Sequence, residues 1–131
     1  EPAQAALHSY FNIGDISQIE VQNLPNRCYD SLQGKHTDVP STRKIEQGVD
    51  CIYALEEDKT FLVDKAFNRR IQITHHHADS IVLWNPWEKT PSAMKADGYR
   101  NMVCIETARL EKLLQFGESI SAEISALPAD I

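Results

Sequence analysis

Apolar and polar residues alternate along much of this chain with a period of two, a pattern typical of β-strands that bury one face. The first alternating segment, residues 5–13, places His8, Tyr10 and Asn12 on one face of a predicted strand. Short segments rich in strand-forming residues then recur, with polar turns between them, at 19–22, 27–32, 49–55, 61–64, 70–75, 80–84, 101–107 and 119–127. Many short strands at such spacing predict an all-β sandwich or barrel.

Other segments depart from this pattern. Residues 33–40 are polar and predict a loop, and residues 92–97 begin at a serine that suits the cap of one helical turn. Residues 108–116 have apolar positions at helical spacing and end at Gly117, so they predict a connection with some helical character. In the last segment, residues 120–126 alternate apolar with polar positions, which predicts one dry face and one wet face.

Composition narrows the classes of function. A chain of 131 residues is one domain by size, so residues 1–131 are treated as a single unit. The net charge of −6 and the scattered basic residues argue against a nucleic-acid surface, because phosphate binding needs a basic patch. No apolar run approaches the roughly 20 residues that span a bilayer, and no leader precedes the first strand, so we expect a cytoplasmic protein without membrane contact.

The three cysteines, Cys28, Cys51 and Cys104, form no C-x-x-C pair and lie among apolar residues. This context is typical of reduced, buried thiols in a cytoplasm. No base is evident beside any of them, which argues against a catalytic cysteine.

Two ionisable side chains that lie far apart in the sequence both stand in apolar strand contexts. His8 follows Leu7, and Glu106 lies between Ile105 and Thr107. Because a buried polar group without a partner costs about 1–3 kcal/mol, the simplest interpretation is that His8 and Glu106 face a shared cleft. There they would serve as acid and base without a cofactor. The ordinary alternatives are a half-buried, hydrogen-bonded histidine and a glutamate on the solvent face of a sheet.

Three further features are less specific. Asp50 lies at the end of a turn, where aspartate is commonly structural. His75 and His77 would share a strand face and offer two metal ligands, but zinc sites normally have three or four, so a solvated strand end is favoured. The segment Trp84-Asn85-Pro86-Trp87 predicts a rigid strand exit that anchors a core edge, or alternatively one wall of a carbohydrate site.

Four segments together resemble the D-hexose-6-phosphate mutarotases, which are glucose-6-phosphate 1-epimerases of the aldose 1-epimerase superfamily. These segments are Ala6-Leu7-His8-Ser9-Tyr10-Phe11, Asp50-Cys51-Ile52-Tyr53, Val82-Leu83-Trp84-Asn85-Pro86-Trp87 and Tyr99-Arg100-Asn101-Met102-Val103-Cys104-Ile105-Glu106. They match in identity and in order along nearly the whole chain. The Trp-Asn-Pro-Trp and Met-Val-Cys-Ile-Glu elements are the more specific ones.

The resemblance implies a β-sandwich of the galactose-mutarotase type, with residues 1–131 as its C-terminal half. It implies interconversion of the α and β anomers of a hexose 6-phosphate, with no metal or cofactor. By position, His8 matches the family's catalytic histidine and Glu106 its catalytic glutamate, and Asp50 matches an aspartate that binds sugar hydroxyls. Cys51 stands where the family often has arginine.

The resemblance leaves out the N-terminal half of the family domain, with a second active-site histidine and the arginines expected to hold phosphate. The chain also starts at Glu1 without an initiator methionine, as if inside a larger fold. Because half a sandwich exposes strand edges and apolar surface, we expect association with a missing N-terminal half, or self-association through those edges. Without such association the chain is expected to lack full activity.

The leading hypothesis is mutarotation, in which Glu106 takes the O1 proton of the sugar and protonated His8 donates one to the ring oxygen. A second is a non-catalytic carbohydrate-binding β-sandwich module that uses the same aromatic and polar cleft. A third is a small metal-dependent β-barrel enzyme built on His75 and His77.

Overall fold

Eleven strands form two antiparallel sheets in the computed structural model, which describes residues 1–128; the last three positions of the predicted unit lie outside the described residues. The strands are β1 (Ala3–Leu7), β2 (Tyr10–Asn12), β3 (Ile19–Gln22), β4 (Arg27–Asp30), β5 (Lys35–Asp38), β6 (Val49–Ala54), β7 (Lys59–Asp64), β8 (Arg69–His76), β9 (Ser80–Asn85), β10 (Met102–Leu114) and β11 (Ser121–Leu127). Short 3-10 turns cover Ile16–Gln18 and Gly98–Asn101. The all-β prediction is confirmed.

The larger sheet has seven strands in the order β1-β10-β9-β6-β4-β5, with β2 pairing β10 in line with β1. The smaller sheet has four strands in the order β11-β8-β7-β3. Inward-facing residues of both sheets form one core, and its largest fully buried side chains include Tyr53, Leu62, Ile73, Leu83 and Ile105. No helix in the described residues has the length and apolar character needed to cross a membrane.

Strand alternation explains which residues leave this core. On β6, Val49, Cys51 and Tyr53 are buried while Asp50 and Ile52 between them are partly exposed. The outer face of the larger sheet, on the side opposite the core, therefore carries the polar and aromatic residues that the sequence places between apolar ones.

The predicted loop at 33–40 is wrong, because β5 pairs with β4 in a hairpin from Arg27↔Asp38 to Asp30↔Lys35. This strand is the edge of the sheet and three of its four residues are exposed, so it needs no apolar alternation. The helical turn predicted at 92–97 is also absent, since a non-helical turn occupies these residues and the 3-10 turn begins at Gly98.

The helical character predicted for 108–116 is wrong as well, because β10 runs on to Leu114. Its register with β1 shifts between Ala5↔Arg109 and Ala3↔Leu114, so extra residues bulge from β10 at this point. The Asp79 carboxylate holds the bulge by accepting hydrogen bonds from backbone N–H groups at positions 110, 111 and 112. Because of this irregular register, apolar residues in this part of β10 recur every three or four positions. The sequence pattern therefore resembles that of a helix.

The dry face predicted for the last strand is only partly dry. Ile124 on β11 pairs with the fully buried Ile73 on β8, so both face the same side of the smaller sheet. Ile124 nevertheless keeps 53% of its surface exposed, whereas Ala122 packs against the core. Strand β11 is an edge strand, and the described residues of the larger sheet leave Ile124 incompletely covered.

Candidate active site

The first strand region is interrupted at the predicted site residue. β1 ends at Leu7 opposite Thr107, and β2 begins at Tyr10 opposite Cys104. Between them Ser9 donates its N–H to the Leu7 carbonyl at 2.9 Å, while its own carbonyl accepts from the N–H of Ile105 at 3.2 Å. The register along β10 is the same on both sides of this interruption, so His8 lies opposite Glu106.

The structure thus brings together the two residues that the sequence singled out. His8 Nε2 lies 3.3 Å from Glu106 Oε2, with 49% of the histidine side chain exposed and only 8% of the glutamate side chain. One partner is open to a ligand and the other is buried on the same face of the sheet. The expected shared face of His8 and Tyr10 is also present, since their rings stack with centroids 4.9 Å apart.

Burial controls the chemistry of the carboxyl. The pKa of Glu106 is raised, chiefly because burial removes water from the carboxylate; a protonated His8 opposes the rise and the negative charge of Asp50 adds to it. A carboxylate in this setting binds a proton more readily than one on the surface. The pair can therefore exchange a proton with a ligand that reaches the exposed histidine.

Aromatic rings border the pair. The Trp84 ring meets His8 edge-on at 5.7 Å and Tyr10 at 6.1 Å between centroids. Trp84 pairs with Cys104 on one side and with Asp50 on the other, so all three residues lie on the outer face. Such rings offer flat apolar surface beside polar groups, as carbohydrate sites do.

Asp50 lies on the same face as the pair, one strand beyond Trp84. Burial is the main cause that raises the pKa of its carboxyl, and the nearby charge of Asp30 adds to the rise. Asp50 and Trp84 also line a groove of about 530 Å³, whose other charged side chains are Asp30, Glu88 and Lys89. The groove is predominantly acidic and is suited to donors such as sugar hydroxyls.

The segment that follows Trp84 anchors this wall. The buried Asn85 side chain donates to the carbonyls of Tyr99 and Met102, both at 2.9 Å, and accepts from the N–H of Trp87 at 2.7 Å. Trp87 packs against the core and lines the groove with its neighbours. The segment therefore forms the predicted rigid strand exit and also lines a groove, while its place in a carbohydrate site stays a prediction.

The histidine run does not present two ligands on one face. His75 is buried, with Nε2 at 2.9 Å from the Thr60 hydroxyl and Nδ1 at 2.7 Å from the Thr107 hydroxyl. Burial lowers its pKa to about 4. His77 lies beyond the end of β8 with a positive φ of 60°. The predicted shared face, and the solvated position expected for His75, are both wrong, since His75 belongs to the core.

Sequence reasoning missed a third contact of the candidate site. Cys104 Sγ lies 3.6 Å from His8 Nδ1, on the side of the ring opposite to the glutamate contact. The three cysteines are buried as free thiols, as predicted, but a histidine does stand beside one of them. The two-residue spacing of Cys104 and Glu106 was available in the sequence, and it places both on the face that His8 occupies.

The fold and the paired His8 and Glu106 define an all-β protein with a candidate acid–base site on the outer face of one sheet. Comparison with known proteins agrees with this class. A family model described as Aldose 1-epimerase matches residues 1–126. The chain is 56% identical over 125 residues to a Haemophilus influenzae protein named "Putative glucose-6-phosphate 1-epimerase", covering 95% of this chain and 46% of that protein. The chain belongs to the aldose 1-epimerase family.

Solved structures support the same fold. The crystal structure of HI1317 matches with a TM-score of 0.95 at 55% identity, covering 97% of this chain and 47% of the other. The crystal structure of a "putative mutarotase (YeaD)" from Salmonella typhimurium matches with a TM-score of 0.89 at 29% identity, covering 98% of this chain and 46% of the other. A galactose mutarotase-like protein of Clostridium acetobutylicum matches with a TM-score of 0.60 at 15% identity, covering 96% of this chain and 48% of the other. This likeness shows the fold alone. The chain spans about half the length of these relatives, and the predicted galactose-mutarotase-like sandwich is confirmed.

Proposed function

We propose that this chain supplies the proton-transfer groups of an enzyme that interconverts the α and β anomers of a hexose 6-phosphate. The observation that carries the proposal is the 3.3 Å contact between His8 Nε2 and Glu106 Oε2 on an open, aromatic sheet face. Membership of the aldose 1-epimerase family and the names of the relatives support the reaction class and the sugar phosphate.

The reaction requires an acid and a base at adjacent positions. The anomeric hydroxyl O1 must lose a proton and the ring oxygen O5 must gain one, and both oxygens are bonded to the same carbon. Groups that serve them must therefore lie side by side, as His8 and Glu106 do. The outer face offers this pair to a sugar through the half-exposed histidine.

In the proposed cycle, the Glu106 carboxylate accepts the O1 proton while protonated His8 donates its Nε2 proton to O5. The C1–O5 bond breaks as the electron pair on O1 forms the carbonyl, which gives the open-chain aldehyde. Rotation about C1–C2 exposes the other carbonyl face, and the two residues exchange roles as O5 closes on C1. Every proton that leaves one oxygen has a named acceptor, so this mechanism uses no metal or cofactor.

The other residues of the face are proposed to hold the sugar. The rings of Tyr10 and Trp84 would pack against its C–H groups, and Asp50 would accept hydrogen bonds from its hydroxyls. The raised pKa of Asp50 supports this role, because a partly buried carboxylate gains more from hydroxyl donors than one in water does.

The phosphate is proposed to bind outside the described groove. Among the described residues that line that groove, Asp30, Asp50 and Glu88 are acidic and Lys89 is the one cation, which disfavours an anion there. We infer that residues 1–131 are the C-terminal half of a larger galactose-mutarotase-like domain and that the other half supplies the phosphate-binding cations. The double length of the relatives and the open sheet edges support this inference.

The test is the rate of anomer exchange of glucose 6-phosphate in the protein that carries this chain, measured by NMR exchange spectroscopy or polarimetry. His8→Ala and Glu106→Gln are each expected to slow exchange by about 10²–10⁴-fold, the usual contribution of a general acid or base. His36→Gln and Glu123→Gln change exposed residues of the same types away from the site and should leave the rate unchanged. An unaltered rate in either site variant would contradict the assignment.

The same aromatic face also suits a non-catalytic carbohydrate-binding module. That alternative predicts saturable sugar binding without any acceleration of anomer exchange. The raised pKa of Glu106 favours the enzyme, because binding alone gains nothing from a carboxyl that is poised to take up a proton.

A further inference from the structure

Both ring nitrogens of His8 have a partner on strand β10. Nε2 meets the Glu106 carboxylate at 3.3 Å, and Nδ1 lies 3.6 Å from the sulfur of Cys104. Within residues 1–128, the cysteine sulfur is the only hydrogen-bonding partner of Nδ1. Cys104 is fully buried, so its sulfur is out of contact with water, and the Tyr10 hydroxyl is its other hydrogen-bonding neighbour.

We propose that Cys104 is a positioning residue whose thiol orients the His8 ring and selects the tautomer that carries its proton on Nε2, the nitrogen 3.3 Å from the Glu106 carboxylate. This inference rests on the proposed function, in which the Nε2 position delivers and receives the proton. The cysteine itself is not proposed to touch the sugar.

The protonation state of the sulfur supports this role. Burial raises the pKa of Cys104 to about 12, and the Glu106 charge contributes to the rise, so the sulfur is a neutral thiol at physiological pH. A neutral imidazole has one N–H and one bare nitrogen. An S–H that donates to Nδ1 makes that nitrogen the acceptor, which leaves the proton on Nε2 beside the carboxylate.

The contact also persists through the proposed catalytic cycle. When His8 is protonated, both ring nitrogens are donors, and the sulfur then accepts a weak hydrogen bond from Nδ1–H by rotating its own proton away. A thiol therefore accompanies both states of the ring, which an alanine cannot do. The burial that suppresses nucleophilic reactivity at Cys104 is compatible with this role.

The remaining contacts of the ring do not distinguish its two nitrogens. Stacking on Tyr10 at 4.9 Å and the edge contact with Trp84 at 5.7 Å fix the plane of the ring. Neither contact is a hydrogen bond to a nitrogen, and half of the side chain is open to solvent. The polar contacts with Cys104 and Glu106 together therefore determine which of the two flipped orientations the His8 ring adopts.

The test determines which ring nitrogen of His8 carries the proton. Long-range ¹H–¹⁵N NMR of the histidine-labelled protein reports this directly, and His8→Gln is used to assign the signals. The wild-type protein should show the Nε2–H tautomer when neutral, and Cys104→Ala should give a mixture of tautomers. Cys104→Ser retains a donor and acceptor at this position and should preserve the preference. Cys51→Ala removes an equally buried thiol from the opposite face of the sheet and is the matched control.

Kinetics provide the second readout. Cys104→Ala should lower kcat for anomer exchange by roughly five- to tenfold with little change in KM, as expected when a single hydrogen bond that orients a catalytic group is lost. An unchanged His8 tautomer in Cys104→Ala, or an equal change in Cys51→Ala, would overturn the proposal. A shifted tautomer in a protein whose wild type does not accelerate exchange would support the contact and contradict the proposed function alone.

Discussion

His75 lies inside the sandwich with both ring nitrogens bonded to threonine hydroxyls, whereas His8 lies at the sheet edge with half of its side chain exposed. The buried ring is held neutral because burial disfavours its charged form. The exposed ring has a carboxylate beside it and can take up a proton from solvent or substrate. The same residue type is thus structural in one place and a candidate acid in another because of its surroundings alone.

The stability of the protein should therefore depend on His75 as the pH falls. Its folded pKa of about 4 lies below the ordinary 6.5, so protonation favours the unfolded chain. The contribution is complete above pH 6.5 and declines as the pH falls toward 4. Between pH 7 and pH 5 the free energy of unfolding should drop by about 2 kcal/mol from this group, as measured by urea denaturation.

A variant separates the contribution of His75 to the free energy of unfolding from the contributions of carboxyl groups that titrate in the same pH range. His75→Gln is expected to be less stable at pH 7, because a packed residue with two hydrogen bonds is replaced, but to lose less stability between pH 7 and pH 5. The exposed His36 provides the control, since His36→Gln should retain the wild-type slope. Equal slopes for wild type and His75→Gln would show that the buried imidazole does not control acid stability.

At the level of elements, β10 unites the candidate site with the irregular segment that follows it. Its first half carries Cys104 and Glu106, and its second half bulges where the Asp79 carboxylate accepts three backbone hydrogen bonds at 2.9, 3.1 and 2.7 Å. These bonds lower the pKa of Asp79 against the opposing effect of burial. The buried Arg109 complements them by donating to the carbonyls of Lys112 and Leu113.

Removal of the carboxylate should loosen this segment without disturbing the site. Asp79→Ala is expected to lower the free energy of unfolding by about 2 kcal/mol, because three N–H groups lose an ionised acceptor and only some regain water. Amide hydrogen exchange should quicken at positions 110–112 and remain slow at Glu106. The exposed Asp38, which pairs with Arg27, offers the control, and Asp38→Ala should change stability by less than about 0.5 kcal/mol. Undisturbed amides at 110–112 in Asp79→Ala would contradict this account.

The fold was largely predictable from alternation, and its failures have a physical cause. β3 and β6 bury every second residue, so their apolar spacing predicts both strand and face. The edge strand β5 buries little and leaves no such pattern. The end of β10 has a bulge that changes its period, so its sequence resembles a helix.

The candidate site was predictable only in part. The apolar contexts of His8 and Glu106 indicated a shared face, and alternation placed Tyr10 beside them. That His8 lies opposite Glu106 depends on the register of two strands far apart in the chain, which no local pattern contains. The burial of His75 between two threonines also depends on long-range packing, and for that reason it was misjudged.

At the scale of the whole molecule, the two sheets form a sandwich that is incomplete within the described residues. The chain spans about half the length of its relatives, and the edge strands β1 and β11 have no partner on their outer sides among residues 1–128. Ile124 faces the core side of the smaller sheet yet is 53% exposed. Apolar residues on an open edge favour pairing with further strands.

The isolated 131-residue chain should accordingly associate with itself. Sedimentation at increasing concentration is expected to show a rising average mass, because open edges and uncovered apolar residues gain from contact with a second copy.

Ile124→Lys should reduce this association, since a charge on the edge opposes pairing and desolvation. Folding stability should change by no more than about 0.5 kcal/mol, because the residue is already half exposed. Phe67→Lys is the matched control, as Phe67 is 50% exposed but lies in a turn, and it should leave association unchanged. A well-folded chain that stays monomeric at all concentrations would show that the half sandwich closes its own edges.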